Sequence, residues 1–321
     1  MVAPFPSPTQ TWHDNTYASL SPSRPELSAK GKNILVTGGG TGIGAETAHY
    51  FAAAGASRIA ILGRRENRLL ETKASIESKY PHTQVFTAPT DVFKKDEVDS
   101  AFDRFIASTG GGKIDVVVSG AAITGPIATV KDADAAEYLD AVTLNLRGSF
   151  YTAQAFLRYA AEDAVAINIS SSGMHLNFAP GLSPYCVAKS AIFRVWDYLG
   201  YENPGLRVYH VQPGVVNTEM NQSVGGVKAA GFEDHVSLPA SFNLWLASPE
   251  ARFLKGKYLW ANWDVDELKA RAKEIEETTQ LDIQLVGWPF GEGRWTSNWK
   301  SEDSAEYRSL SETALAGDRD V

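Results

Sequence analysis

Residues 33–44 read NILVTGGGTGIG, and this stretch decides the fold. Asn33 to Thr37 is a short apolar run without polar alternation, the pattern of a strand buried on both faces. It meets a glycine cluster, after which Ile43 to Ala54 carries helix formers up to a stop at Gly55. A glycine cluster alone is a weak signal, but strand, turn and helix in this order predict a dinucleotide site. Gly38 permits the tight turn, Gly42 lets the backbone approach a pyrophosphate, and Gly44 lets helix pack closely on strand. Thr41 and Ile43 flank the helix start, whose unpaired N–H groups would hold the anion.

The same alternation continues outward. Strands are expected at Arg58 to Leu62, Gln84 to Ala88, Ile114 to Val118, Val165 to Ile169, Arg207 to Val211 and Gly256 to Ala261. Between them lie helical stretches: Glu66 to Lys79, one bearing Val98, Phe102, Phe105 and Ile106, a long one through Tyr138 to Tyr159, and one from Pro184. This predicts an α/β fold, a single Rossmann-type doubly wound parallel sheet with helices on both faces, plus a C-terminal extension. Residues 1–31, rich in Pro, Ser and Thr, are expected to be a loosely ordered N-terminal arm. Residues 32–262 form the dinucleotide-binding and catalytic domain, and 263–321 a Trp-rich extension in which Asp266 to Glu277 reads as a solvated helix. Six of eight tryptophans lie beyond residue 240, at 245, 260, 263, 288, 295 and 299, and would anchor the tail, cover the pocket or meet a second subunit.

Composition narrows the function. The 321 residues are 44% hydrophobic and 21% charged, as in a globular chain, and a net charge of −8 offers no field for nucleic acid. No apolar stretch reaches the roughly 18 residues of a membrane span, and residues 1–32 lack the apolar core of a signal peptide, so a cytoplasmic protein is expected. The single cysteine, Cys186, excludes an intrachain disulfide and reads as a small buried hydrophobe. The six histidines form no paired ligand spacing, so no metal is expected.

The second strand ends in Leu62-Gly63-Arg64-Arg65, where an NAD-binding chain would place Asp or Glu against the ribose 2′-hydroxyl. Two guanidinium groups there suit a 2′-phosphate instead, which predicts NADP(H). Further on, Tyr185 and Lys189 stand four apart, on one helix face, just inside a helix whose start is marked by Ser183 as N-cap and Pro184. Moving a tyrosine from about 10 to near 7 takes roughly 4 kcal/mol, which one ammonium at about 4 Å and an effective dielectric of about 20 would supply. The preceding strand ends in Asn168-Ile169-Ser170-Ser171-Ser172, so serine hydroxyls would sit at the carboxyl edge of the sheet, able to donate to a substrate carbonyl.

In this combination the chain resembles the short-chain dehydrogenase/reductase family over roughly Lys32 to Ala261. TGGGTGIG at 37–44 matches the family's TGxxxGxG turn, Asp91-Val92 the acidic pair at the adenine, and Asn145 the helix asparagine; NISSS, YCVAK and PGVVNT complete the set. The resemblance implies that Tyr185 is the general acid in reduction, that Lys189 lowers its pKa and holds the nicotinamide ribose, and that Ser171 orients the carbonyl, with Ser172 as the alternative. It also implies a relay water at Asn145, a backbone contact at Ala121, and nicotinamide contacts at Pro213, Gly214, Val216 and Thr218. One departure is Ser119-Gly120-Ala121-Ala122, which stands where NNAG is usual and loses side-chain amides that brace the central strand. The tail, with ANWDVDEL and LVGWP, is similar to that of fungal members, many of which modify secondary metabolites.

The expectation is an NADP(H)-dependent ketoreductase or alcohol dehydrogenase acting on a hydrophobic ketone or alcohol. The pocket would be lined by the mostly small or apolar segments after Gly120, Ser172 and Thr218, including His175, Phe178, Met220 and Phe232, with His175 a packing residue rather than an acid. A non-redox use of Tyr185, reduction of an imine or activated alkene, and a cofactor-binding scaffold are the other readings the sequence leaves open. The family's habit implies a homodimer or homotetramer formed by the helices that carry Asn145 and Tyr185.

Overall fold

The computed structural model describes residues 4–177 and 179–285. Seven strands run parallel: β1 (Asn33–Thr37), β2 (Arg58–Gly63), β3 (Gln84–Pro89), β4 (Ile114–Ser119), β5 (Ala160–Ile169), β6 (Arg207–Gln212) and β7 (Tyr258–Trp260). Their order across the sheet is β3-β2-β1-β4-β5-β6-β7. The helices are α1 (Gly42–Ala53), α2 (Glu66–Lys79), α3 (Lys95–Ser108), α4 (Ala135–Tyr159), α5 (Ser183–Glu202), α6 (Glu219–Gln222), α7 (Gly226–Ala230), α8 (Ser237–Leu246), α9 (Val265–Ala270) and α10 (Ala272–Glu276).

Strands β1 to β6 each feed two cores because successive side chains point to opposite faces. Ile34 and Val36 join Phe51 of α1, Leu69 of α2 and Phe242 of α8, whereas Leu35 joins Phe102 of α3, Phe156 of α4 and Trp196 of α5. That is why all five residues of β1 are buried. Side-chain bonds tie each helical layer together: Trp196 Nε1 donates to Ser149 Oγ at 2.8 Å, and Asn243 Nδ2 to Thr47 Oγ1 at 3.1 Å.

Strand order reverses at β1, which pairs with β2 on one side and β4 on the other. Thr37 stands beside Leu62 and Ser119, Ser119 beside Asn168, and Asn168 beside His210. The segments leaving these residues therefore emerge along one carboxyl edge around a topological switch point, where open α/β sheets bind ligands.

Three local expectations are corrected. Residues 4–31 are not loose: Trp12, Leu20 and Leu27 are buried in the core beside α8 and β7. Their spacing follows no helix or strand period because they pack one at a time, Leu20 and Leu27 each at the end of a single 3-10 turn (Ala18–Leu20 and Pro25–Leu27). The charged stretch after Asp264 is two short helices broken at Arg271, with Val265, Leu268 and Ile275 buried. At the start of α5, Ser183 is the first helical residue and Leu182 takes the cap position without a side-chain bond. Trp288, Trp295 and Trp299 lie outside the described residues, as does Phe178. Among the described residues no helix is long and apolar enough to cross a membrane, and no group of three metal-ligating side chains occurs.

Candidate active site

A cleft of about 1380 Å³ opens at the carboxyl edge of the sheet. Small-molecule pockets usually span roughly 300–1,000 Å³, so this one has room for a dinucleotide and a second molecule. Its floor is the glycine turn. Gly38 and Gly42 adopt φ of +75° and +54°, which favour glycine, and a Cβ on Gly44 would fall 2.4 Å from the Gly38 carbonyl oxygen. Thr41 caps α1 without a side-chain bond, so the first-turn N–H groups of Gly42, Ile43 and Gly44 are left without a side-chain acceptor. A Cβ on Gly42 would stand 3.0 Å from Thr218 Cγ2, so a side chain in the turn would crowd the Thr218 methyl on the segment after β6. Such a cradle fits a pyrophosphate.

Arg64, Arg65, Asp91 and Val92 line one end of the cleft. Arg65 Nη1 pairs with Glu219 at 2.8 Å across the mouth, and its Nη2 donates to Thr41 Oγ1 at 3.4 Å. Arg68, one turn into α2 from Arg64, adds a third guanidinium to this wall. Sequence reasoning passed over Arg68, although its i+4 spacing from Arg64 was visible.

At the other end stand Tyr185, Lys189 and the serines. Of the serines, Ser171 is the one that pulls the Tyr185 pKa down, and its hydroxyl accepts the Gly173 N–H at 3.2 Å. Ser172 lines the cleft as well, its N–H donating to Gln212 Oε1 at 2.9 Å. Lys189 is 5% exposed; its Nζ donates to the Ile169 carbonyl at 2.6 Å and lies 5.6 Å from the Tyr185 ring centroid. Burial dominates both groups. It pushes the phenol up to about 12, against the pull of Ser171, and the ammonium down to about 8. Burial, and not the neighbouring ammonium, thus sets the direction of the Tyr185 shift, opposite to the lowering toward 7 expected from Lys189.

The bracing lost with NNAG is supplied from elsewhere. Thr37 Oγ1 accepts the N–H groups of Gly120 at 3.1 Å and Ala121 at 3.3 Å. Asn145 holds Ile123 from both sides, accepting its N–H and donating to its carbonyl, each at 2.9 Å, while a second Nδ2 bond runs to Ala141. Asn145 does not line the cleft; its amide fixes the loop that does.

Pro213, Gly214, Val216 and Thr218 line the far side, on a loop anchored by a residue that no sequence motif marks. Asp234, 1% exposed, accepts the Val215 N–H at 2.7 Å through Oδ2 and the Asn262 amide at 2.8 Å through Oδ1. Burial pushes its carboxyl up to about 6. Met220 and Phe232 line the cleft as expected, joined by Phe5 and Trp260. His175 instead packs behind Trp260, accepting its indole N–H at 3.3 Å, and burial lowers its pKa. Cys186 is half-buried, not fully, and its thiol is pushed up, which makes it a poor nucleophile.

The profile of the short chain dehydrogenase family matches residues 32–227. The chain belongs to the short-chain dehydrogenase/reductase family. It is 34% identical to a short chain dehydrogenase/reductase of Claviceps purpurea, over 84% of this chain and 91% of that one. It is 33% identical to short chain dehydrogenase/reductase AacuD of Aspergillus aculeatus, over 88% and 98%. A solved short-chain type dehydrogenase/reductase from Mycobacterium marinum superposes with a TM-score of 0.67 at 26% identity, covering 75% of this chain and 97% of that one. As a short-chain dehydrogenase/reductase the chain is an oxidoreductase that uses a nicotinamide dinucleotide and acts on a small molecule.

Proposed function

We propose that this short-chain dehydrogenase/reductase is an NADP(H)-dependent ketoreductase that interconverts a hydrophobic ketone and its alcohol. One observation carries the reading: Tyr185, with Ser171 beside it and Lys189 one helical turn away, stands in the same cleft as the glycine turn and Arg64, Arg65 and Arg68. The glycine turn would hold the pyrophosphate, Asp91 and Val92 the adenine end, the arginines a 2′-phosphate, and Ala121, Lys189, Pro213, Gly214, Val216 and Thr218 the nicotinamide end.

When bound, the reduced nicotinamide supplies a hydride to the carbonyl carbon. Ser171 donates a hydrogen bond to the carbonyl oxygen, drawing charge onto it. Tyr185, neutral at physiological pH with its pKa raised to about 12, passes its phenolic proton to that oxygen as the charge develops. The buried Lys189 lies beside the phenol, so an ammonium there stabilises the phenolate left behind. In oxidation each proton movement reverses. The apolar cleft wall of Met220, Phe232 and Trp260 supports a hydrophobic substrate.

The similarity to fungal members supports a place in secondary metabolism, and a cytoplasmic setting belongs to the same proposal. Half-exposed Phe150, Leu157 and Tyr198 on α4 and α5 support a homodimer or homotetramer built on those helices. The test is titration with NADPH and NADH while nicotinamide fluorescence is followed. NADPH-selective binding that Arg65→Ala abolishes is the expected result; failure of both cofactors to bind would end the reading.

A further inference from the structure

Phe5, far from Tyr185 in sequence, lines the same cleft. Its ring lies 5.2 Å from that of Trp260 at 56°, and 6.0 Å from that of Phe232 at 69°. These tilted and edge-on arrangements fall within the roughly 4.5–7 Å range favoured by aromatic pairs. Buried Trp12 backs the group, 6.5 Å from Phe5 and 5.8 Å from Trp260. The aromatic wall runs on to the catalytic serine: the Trp260 indole donates to His175, the His175 ring meets Tyr258 edge-on at 5.0 Å, and the Tyr258 hydroxyl donates to the Ser171 carbonyl at 2.6 Å.

The segment that carries Phe5 is clamped. The N–H groups of Gln10 and Thr11 donate to the Glu267 carboxylate at 2.6 and 2.9 Å, and Arg271 Nη1 donates to the Pro8 carbonyl at 3.1 Å. The His13 N–H donates to the Asn262 carbonyl at 2.9 Å, and the His13 ring meets the Asp264 carboxylate at 2.8 Å. Every clamp lands on the chain just after β7, the strand that ends in Trp260. The backbone leading to Phe5 is thus tied to the chain that follows Trp260, which limits how far the two rings can separate when a guest arrives.

We propose that the N-terminal segment is a built part of the substrate site, and that Phe5, Phe232 and Trp260 form a three-ring wall selecting a planar aromatic ring system attached to the reacting carbonyl. An aromatic guest adds edge-to-face contacts that a saturated ring of the same size cannot make. This rests on the cleft being the carbonyl site proposed above, and its test reads binding so that the two can fail separately.

The test is calorimetric titration of the full chain, with NADPH present and absent, using 2-naphthol and trans-2-decalol, which share a fused two-ring carbon skeleton and a hydroxyl. Wild type is expected to bind 2-naphthol about tenfold more tightly than the decalol. Phe5→Ala should erase most of that preference. Phe5→Leu, which restores bulk without a ring, should not recover it. NADPH affinity should be unchanged in both variants, which also reports that they fold. No binding of 2-naphthol by wild type, or equal preference in wild type and Phe5→Ala, would overturn the proposal. Intact naphthol selectivity in a protein that reduces no ketone would sink the reductase reading and leave the aromatic wall standing.

Discussion

Asp234 offers a perturbation whose size follows from the structure. Its carboxyl is raised from 3.8 to about 6 by burial, even though a backbone N–H and an amide both bond the charged form. A raised folded-state pKa means that the native chain holds this proton where the unfolded chain has released it. The associated stability is fully present below 3.8 and is lost as pH rises through about 6. Two units at 1.36 kcal/mol each make this about 3 kcal/mol in total, of which about 2 kcal/mol falls between pH 4.5 and 7.5. Asp234→Asn cannot titrate. Its amide also faces the Asn262 Nδ2 donor, which costs about 1–3 kcal/mol at every pH and so cancels from a difference between two pH values. Urea unfolding of both proteins at pH 4.5 and 7.5, at one ionic strength, should therefore show wild type losing about 2 kcal/mol relative to the variant on going to the higher pH. A wild-type-minus-variant difference that is the same at both pH values would refute the assignment of a strained charge to Asp234.

Other consequences are simpler to read. Tyr185→Phe removes the proton donor and should lower kcat by at least about a hundredfold while NADPH binding persists; turnover near wild type would remove Tyr185 from the chemistry. Gly44→Ala puts a Cβ 2.4 Å from the Gly38 carbonyl oxygen, so α1 must shift off the turn. NADPH affinity should fall about tenfold or more with a lowered Tm, and unchanged binding would show that the turn does not carry the pyrophosphate. Glu219→Gln releases Arg65 from its 2.8 Å ion pair, which should tighten NADPH several-fold without affecting NADH. Equal effects on both cofactors would mean that Arg65 does not face the 2′-phosphate.

Most of the fold was legible because it is written in short-range patterns. The apolar runs of β1 to β6 and the helix formers between them gave elements within a few residues of those observed, and α2 runs from Glu66 to Lys79 as expected. The start of β5, five residues earlier at Ala160, was missed because the exposed Glu162 and Asp163 interrupt the apolar run on that side. The N-terminal segment was misread for a related reason: Trp12, Leu20 and Leu27 are buried one at a time, and isolated apolar residues leave no period to detect.

The candidate site divides along the same line. The sequence by itself determined the glycine turn, the arginine pair, and Tyr185 with Lys189 one helical turn away, since each is a local arrangement whose chemistry depends on spacing. Only the tertiary structure decided what surrounds them. It brings Asp234 under Gly214, sets Glu219 against Arg65, and puts Phe5 into the cleft beside Trp260. It also reversed the sense of the Tyr185 shift, because a charge four residues away can be counted along the chain, whereas the loss of solvent around a phenol depends on every element packed over it.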